Sequence, residues 1–480
     1  MVMKKKLDRW MDRMPMPVLP PDVRKRVFNE YVLGYGHTAA KDESLRCLLC
    51  KTPTCMDSCP VNSRIPDWIE TIQKEGVREG YKILRERNPF SSVCGRVCPQ
   101  ERLCESTCIL LRRRDGESVA IGGLERFIAD NVRMCGVQWV DEKEKEDTGK
   151  KVAIIGGGPA GLSAAYFLAK KGHRVTIFEA LPYLGGVMRY GIPEPRLPRE
   201  ALDWDINLIL NLGVEVKTNT VVGEDITSEE IRKEFDAVFI AVGSGRGKKM
   251  NIPGADLKGC YSAIGFLMKV NTGEIHPLLA PEREIELPQN KRVVVVGGGF
   301  TAVDCALVAV RLGNEVEVVY RRTKDSSSAR EDEWEMLEEE GVKMNWLTQP
   351  VEVIGNEEGR VKAIKCIKMK LIPQEGKRPK VEPIEGSEFE IPCDVVIFAV
   401  GQGDNPVAYK DLEGLKIDKW NNLSTVDEEF RTNVEGVWAG GDVVNGGDLV
   451  VTAIKHAQIA AKSIHKYLTT GKWEYKGKEE

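Results

Sequence analysis

Eight cysteines crowd into two short stretches, CLLCKTPTCMDSCP at Cys47, Cys50, Cys55 and Cys59, and CGRVCPQERLCESTC at Cys94, Cys98, Cys104 and Cys108. The spacings are C-x2-C-x4-C-x3-C and C-x3-C-x5-C-x3-C, enough thiols for two four-ligand metal centres. Structural zinc and iron–sulfur clusters both use such sets. Proline follows Cys59 and Cys98, and in two-cluster ferredoxin-type runs the cysteine before proline ligates the other cluster. That feature favours iron–sulfur chemistry. Disulfides are disfavoured, because no apolar run is long enough for a signal peptide or a membrane span and a reducing cytoplasmic setting is expected. The formal charge of -4, with 30% charged residues of both signs, gives no reason to expect nucleic acid or a membrane as partner.

At Val152 the sequence changes character. KVAIIGGGPAGLSAAYFLAKKGHRVTIFEA reads as a buried strand, a glycine-rich turn, a helix of small and apolar residues, and a second strand ending on Glu179. Gly156 suits the tight turn, Gly158 lets the backbone approach a pyrophosphate, and Gly161 lets helix and strand pack closely. Pro159 and Ala160 open the helix whose N-terminus favours phosphate. Glu179 is placed to accept hydrogen bonds from an adenosine ribose.

A second copy, KRVVVVGGGFTAVDCALVAVRLGNEVEVVYRR, puts Gly297, Gly299, Thr301 and Ala302 in corresponding places. Each copy is followed by a further strand and glycine turn, DAVFIAVGSG and DVVIFAVGQG, so the chain holds an internal repeat. The second copy lacks the acidic residue and carries Arg321 and Arg322 instead, with Arg330 in the next loop. Guanidinium groups there suit the 2'-phosphate of NADP. The first copy is then left for a flavin dinucleotide. Near the C-terminus, WAGGDVVNGGDLVVTAIKHAQ places Gly441 and Asp442 at a strand end before a helix, where a carboxylate meets a sugar-alcohol hydroxyl and a helix N-terminus faces the flavin ring.

The elements that must position these groups follow from periodicity. Residues 21–145 read as helical, with apolar positions at helical spacing in IPDWIETIQKEGVREGYKILRER and IGGLERFIADNVRM. The charged run DEKEKEDTGKK at 141–151 reads as a solvated linker. The fold class expected is α/β, with two Rossmann-like dinucleotide domains preceded by a helical domain carrying two iron–sulfur clusters.

These stretches together resemble the glutamate synthase small-subunit family, which includes the large subunit of NADH-dependent ferredoxin:NADP oxidoreductase (sulfide dehydrogenase) and the N-terminal half of dihydropyrimidine dehydrogenase. RCLLCKTPTCMDSCPV, VCGRVCPQERLCESTC, IGGLERFI, GGGPAGL, RYGIPEPRLP, GGGFTAVDCA, YRR and GGDVVNGG carry the resemblance, which covers nearly the whole chain. It implies dinucleotide domains of the disulfide-reductase type and interleaved 4Fe–4S clusters. One is held by Cys47, Cys50, Cys55 and Cys108, the other by Cys59, Cys98, Cys104 and Glu125, with Cys94 spare. It further implies that Gly186 and Val187 approach FAD, that Arg196 reaches it, and that Thr452 belongs to the same site. The domains implied are 1–145 iron–sulfur, 146–285 with 402–470 FAD, 286–401 NADPH, and 471–480 a tail. The segment LLRRRDGESVA is longer and more basic than the relatives' segment and is read as facing a partner.

The function implied is electron transfer between NADP(H), FAD and two 4Fe–4S clusters, with no catalytic acid–base dyad required. The partner expected is a second redox subunit, either a glutamate synthase large subunit or a smaller FAD/2Fe–2S subunit, with ferredoxin a further candidate. Two rivals are a disulfide-reductase-like flavoenzyme, which needs a dithiol at the flavin, and a redox-responsive binding module. Cys135, Cys260, Cys305, Cys366 and Cys393 are solitary in sequence and read as core thiols.

Overall fold

The apolar run after Lys151 forms the strand Lys151–Ile155, which is central to a five-stranded parallel sheet ordered Val437–Ala439, Ala237–Ile240, Lys151–Ile155, Arg174–Phe178, Glu215–Lys217. The second copy builds a sheet of the same order: Cys260–Ser262, Val395–Phe398, Arg292–Val296, Glu315–Tyr320, Lys343–Trp346, again all parallel. Sheets covered on both faces need near-continuous apolar strands, which VAII, VFI, VVVV and VVIF supply. This computed structural model describes residues 12–112, 116–136, 139–374, 377–403, 405–419 and 422–473. Arg113, Arg114 and Asp115 of the expected partner-facing segment lie outside them, as do the basic N-terminal residues 1–11 and residues 474–480 of the expected tail.

Sheet membership moves one expected boundary. Cys260–Ser262 belongs to the second sheet, and Ala263–Thr272 packs on the helix Phe300–Arg311, so the second unit starts at Cys260 rather than at residue 286. The strand is only three residues long, too short to announce itself by pattern. Val437–Ala439 and the helix Val450–Thr470 return to the first unit, where that helix packs along Pro159–Lys170. The two crossings between units pair with each other, Gln402–Gly403 antiparallel to Arg246–Gly247.

The N-terminal domain is helical, with His37–Arg46, Ile65–Gln73, Val77–Arg85, Ser91–Val97 and Ile121–Met134 closing on a core of Trp68, Ile69, Tyr81, Leu84, Leu124 and Ile128. A Cβ on Gly95 would lie 2.7 Å from the backbone nitrogen of Arg126, so the two helices that carry Cys94 and Glu125 meet backbone to backbone. Among the described residues no helix is long and apolar enough to cross a membrane.

The solvated-linker reading holds for residues 142–147, which are exposed, and fails at Asp141. Asp141 is buried and accepts from Nε of the fully buried Arg85 at 2.8 and 3.0 Å, while the hydroxyl of Tyr166 in the first unit donates to the Arg85 carbonyl. Charge alone hid this, because a run of mixed charge gives no sign of which member turns inward. Removing Asp141 leaves the buried Arg85 charge with only the more distant Asp205 carboxylate, 3.9 Å away. Asp141→Ala is therefore expected to lower stability by about 3–5 kcal/mol, read as urea denaturation through tryptophan fluorescence. Asp147→Ala, in an exposed pair with Arg174, is expected to leave the transition unchanged.

Candidate functional site

Four cavities carry expected site residues, one of them lined by Arg196 and Arg330. A large one lies over the first sheet and is lined by Gly156, Gly158, Pro159, Ala160, Glu179, Gly186, Val187, Gly441 and Asp442 among others. Its glycines divide by role. A Cβ on Gly161 would sit 1.9 Å from the Gly156 carbonyl oxygen, so this glycine serves helix–strand packing, whereas a Cβ on Gly158 meets nothing nearer than the Gly186 Cα at 3.8 Å. Gly156, at φ +105°, turns the chain sharply. Open space in front of Gly158, next to the N-terminus of Pro159–Lys170, fits a dinucleotide pyrophosphate.

Glu179 is anchored for its task. Its carboxylate accepts from the N–H of Gly157 at 2.7 Å and of Leu181 at 2.8 Å. Burial pushes its pKa up, and those backbone donors pull it back. Asp442 is pushed up to about 7 by burial. Both carboxylates face a cavity that takes them out of water, which fits polyol hydroxyls as partners. Arg196 does not join them. It donates to Asp304 at 2.8 Å and also pairs with Glu333, bridging the two units away from the cavity lining. Thr452 is likewise outside that lining, though its neighbour Ala453 is in it.

Residues that sequence reasoning missed complete the cavity. Val242, Gly243, Ser244, Gly245 and Arg246 from the first glycine turn, with Ile264, Leu278, Leu279 and Gln402, enclose its far end. The paired glycine turns were read only as a repeat; their place at parallel strand ends is the signal that could have found them. His456 gave no such signal. Its Nδ1 accepts from the Gly441 N–H at 3.1 Å and its ring lies 4.1 Å from that of Phe430, which fixes the turn leading into Asp442.

The thiols divide between two further cavities. Cys47, Cys50, Cys55 and Cys108 line one; Cys59, Cys98, Cys104, Glu125 and Cys94 line the other. Burial and the neighbouring Cys47, Cys108 and Cys50 thiols raise Cys55 to about 12, and burial raises Cys59 to about 11. Such thiols resist ionising on their own and would be held as thiolates by iron. The donor set therefore fits clusters. Burial likewise lifts Glu125 to about 8, with the Asn88 amide donating to its Oε1 at 2.9 Å. Cys94 turns its thiol to the same Asn88, 3.8 Å from Oδ1.

In the second unit, backbone register identifies the counterpart of Glu179. Gly156 N–H bonds to Phe178 O and Gly297 N–H to Val319 O, so Tyr320 occupies the acidic position and Arg321 and Arg322 follow it. A Cβ on Gly298 would lie 2.5 Å from the Tyr320 ring, and one on Gly299 2.9 Å from Ser328 Oγ. Thr301 and Ala302 lie in the first turn of Phe300–Arg311. Arg321 is exposed; Arg322 donates to the Pro379 carbonyl at 2.6 Å; Arg330 is held by Asp332. The structure therefore brings Arg321 and Arg322 to the strand end and sets Arg330 on the loop beside the glycine turn.

The core-thiol reading fails at Cys135, which sits exposed just past the end of Ile121–Met134, where apolar burial stops, and holds for Cys260, Cys305, Cys366 and Cys393, which are buried. Cys260, Cys366 and Cys393 share one buried cluster, each raised to about 12 by burial, and none lines the large cavity.

Residues 150–457 match the family model for pyridine nucleotide-disulphide oxidoreductases, and residues 24–137 match the model for dihydropyrimidine dehydrogenase domain II with its 4Fe–4S cluster. The class is thus an oxidoreductase with an iron–sulfur domain ahead of two dinucleotide-binding units. The chain is 34% identical to the small chain of NADPH glutamate synthase from Escherichia coli over 95% of its own length and 98% of that protein, and it belongs to the glutamate synthase small-chain family. The β subunit of the NADPH-Fe(3+) oxidoreductase of Geobacter sulfurreducens is 37% identical over 93% of this chain and 68% of that protein. Mycobacterium tuberculosis FprA, solved with NADPH, shares the fold at TM-score 0.57 and 22% identity, over 69% of this chain and 87% of that one. FAD, NADP(H) and 4Fe–4S clusters are the cofactors of this class.

Proposed function

We propose that the chain is an electron-input subunit that exchanges a hydride between NADP(H) and FAD and single electrons, through two 4Fe–4S clusters, with a partner redox subunit in the cytoplasm. The observation that supports this best is a shared wall. Val451 lines the cavity of Cys59, Cys98, Cys104 and Glu125, while Ala453, on the same helical turn, lines the dinucleotide cavity. Ile65 and Ile121 then line both cysteine cavities. Nucleotide site and thiol sites are therefore contiguous, and closeness is what a conduit needs from a protein.

In this reading Gly156, Gly158, Glu179, Gly186, Val187, Gly441 and Asp442 hold FAD. Cys47, Cys50, Cys55 and Cys108 hold one cluster; Cys59, Cys98, Cys104 and Glu125 hold the other. Flavin supplies the change from a two-electron to a one-electron carrier. Cys47, Cys50, Cys55 and Cys108 are all partly exposed, whereas of the second set only Cys59 is and Cys98 and Cys104 are buried, which supports the first thiol set as the one nearer a partner. Relatives named as small chains or β subunits support such a partner. A disulfide-reductase reading gains nothing, since no cysteine is among the described residues of the large cavity.

Nucleotide choice tests the second unit. Replacing Arg321 and Arg322 by alanine is expected to raise the Michaelis constant for NADPH about tenfold or more while that for NADH hardly moves, because each charged hydrogen bond contributes about 1.5–3 kcal/mol. Steady-state kinetics with both nucleotides decides it. Equal effects would defeat the assignment.

A further inference from the structure

The short turn between Cys98 and Cys104 does more than space two thiols. Its last residue before Leu103, Arg102, reaches across to the second dinucleotide unit and donates from Nη1 to the Ser328 carbonyl at 2.6 Å and from Nη2 to the Ala329 carbonyl at 2.7 Å, with Ser327 O at 3.5 Å. Its neighbour Glu101 lies 3.8 Å from Arg330. The loop so grasped is packed onto the second glycine turn: Ser327 Oγ donates to Gly298 O at 2.7 Å, and Ser328 N–H to the same carbonyl at 3.3 Å. Inside that loop Ala329 N–H donates to Ser327 Oγ, as does Trp334 Nε1 at 2.8 Å.

We propose that Arg102 is a positioning residue of the nucleotide site, through which nucleotide occupancy and the environment of the Cys59–Cys98–Cys104 cavity are linked. A planar guanidinium presents several donors in fixed directions, which suits carbonyls of consecutive residues as a single ammonium does not. Grasping Ser328 and Ala329 sets where the Ser328 hydroxyl stands beside Gly299 and where Arg330 leaves the loop. Arg102 stands two residues from Cys104 and four from Cys98, so a shift of the loop on nucleotide binding is passed to the segment that carries both thiols. Coupling of this kind is reciprocal: whatever the nucleotide does to the cluster segment, the state of that segment does to nucleotide affinity.

The inference rests on the second unit being the NADP site, and the test separates the two. Holoprotein carrying flavin and clusters is titrated with adenosine 2',5'-bisphosphate by calorimetry, for the natural chain and for Arg102→Gln, with iron and flavin measured in each. The Arg102 side chain is exposed, so the variant is expected to keep both cofactors while binding the probe about tenfold more weakly. Electron paramagnetic resonance of the reduced natural protein is expected to change when the probe is added, and that change to vanish in Arg102→Gln. No binding by the natural chain would sink the NADP reading and this inference with it. Equal affinity in the variant, loss of its iron, or a natural spectrum indifferent to the probe would overturn the inference alone.

Discussion

Gly158→Val is expected to purify with its iron and without its flavin. The apoprotein tolerates the change, since the new Cβ meets only the Gly186 Cα at 3.8 Å and the backbone at 158 is extended, with φ -81°. The branched methyls then project into the space in front of the helix Pro159–Lys170, where the pyrophosphate belongs. Flavin content is expected to fall below about a tenth of the natural value, since displacement of the pyrophosphate forfeits several charge-assisted bonds of about 1.5–3 kcal/mol each. Gly161→Ala is the contrast: its Cβ would stand 1.9 Å from a backbone oxygen, and it is expected to damage the fold, with low soluble yield. The ratio of flavin to iron in purified protein checks both. A Gly158→Val protein that keeps FAD and fails to bind NADPH would mean that the two dinucleotide sites have been exchanged.

Glu125→Ala is expected to lose or alter one cluster and keep the other, whereas Cys94→Ala keeps two. Both side chains line the second thiol cavity, so position alone does not choose between them. Asn88 touches both, its amide donating to Glu125 Oε1 at 2.9 Å and its Oδ1 lying 3.8 Å from the Cys94 thiol, so the choice of Glu125 rests on the family resemblance. A carboxylate oxygen is a harder donor than thiolate, so this ligand set also shifts the cluster's potential from that of all-cysteine ligation. Iron analysis and electron paramagnetic resonance of the two variants decide the matter. A damaged cluster in Cys94→Ala with two normal ones in Glu125→Ala would make Cys94 the ligand.

The glycine-rich turns and the strand-end placement of Glu179 and of Arg321–Arg322 were legible because these residue types stand at set offsets from an apolar strand. The repeat was legible because both sheets use the same order of apolar strands. Val451, Ile65 and Ile121 were not, since an apolar residue that separates two cavities reads the same as any core residue; only the packing of Val450–Thr470 against the helical domain gives it meaning. Arg102 was hidden for another reason: its partners are backbone carbonyls more than two hundred residues away, and a carbonyl leaves no trace in the residue type. Arg196 shows the converse. Its motif was visible, but the pairing with Asp304 and Glu333 that turns it to the second unit was not.

The conduit reading, in which the nucleotide sites feed the thiol-bound clusters, is decided by adding NADPH without oxygen to the isolated holoprotein together with a one-electron dye acceptor. Rapid dye reduction is expected with NADPH, much slower reduction with NADH, and in Cys55→Ala flavin bleaching that persists while reduction of an acceptor served by the first thiol set falls away. A natural protein loaded with FAD and both clusters that bleaches no flavin and reduces no dye would contradict it, and would leave a redox-responsive binding module as the better description of the chain.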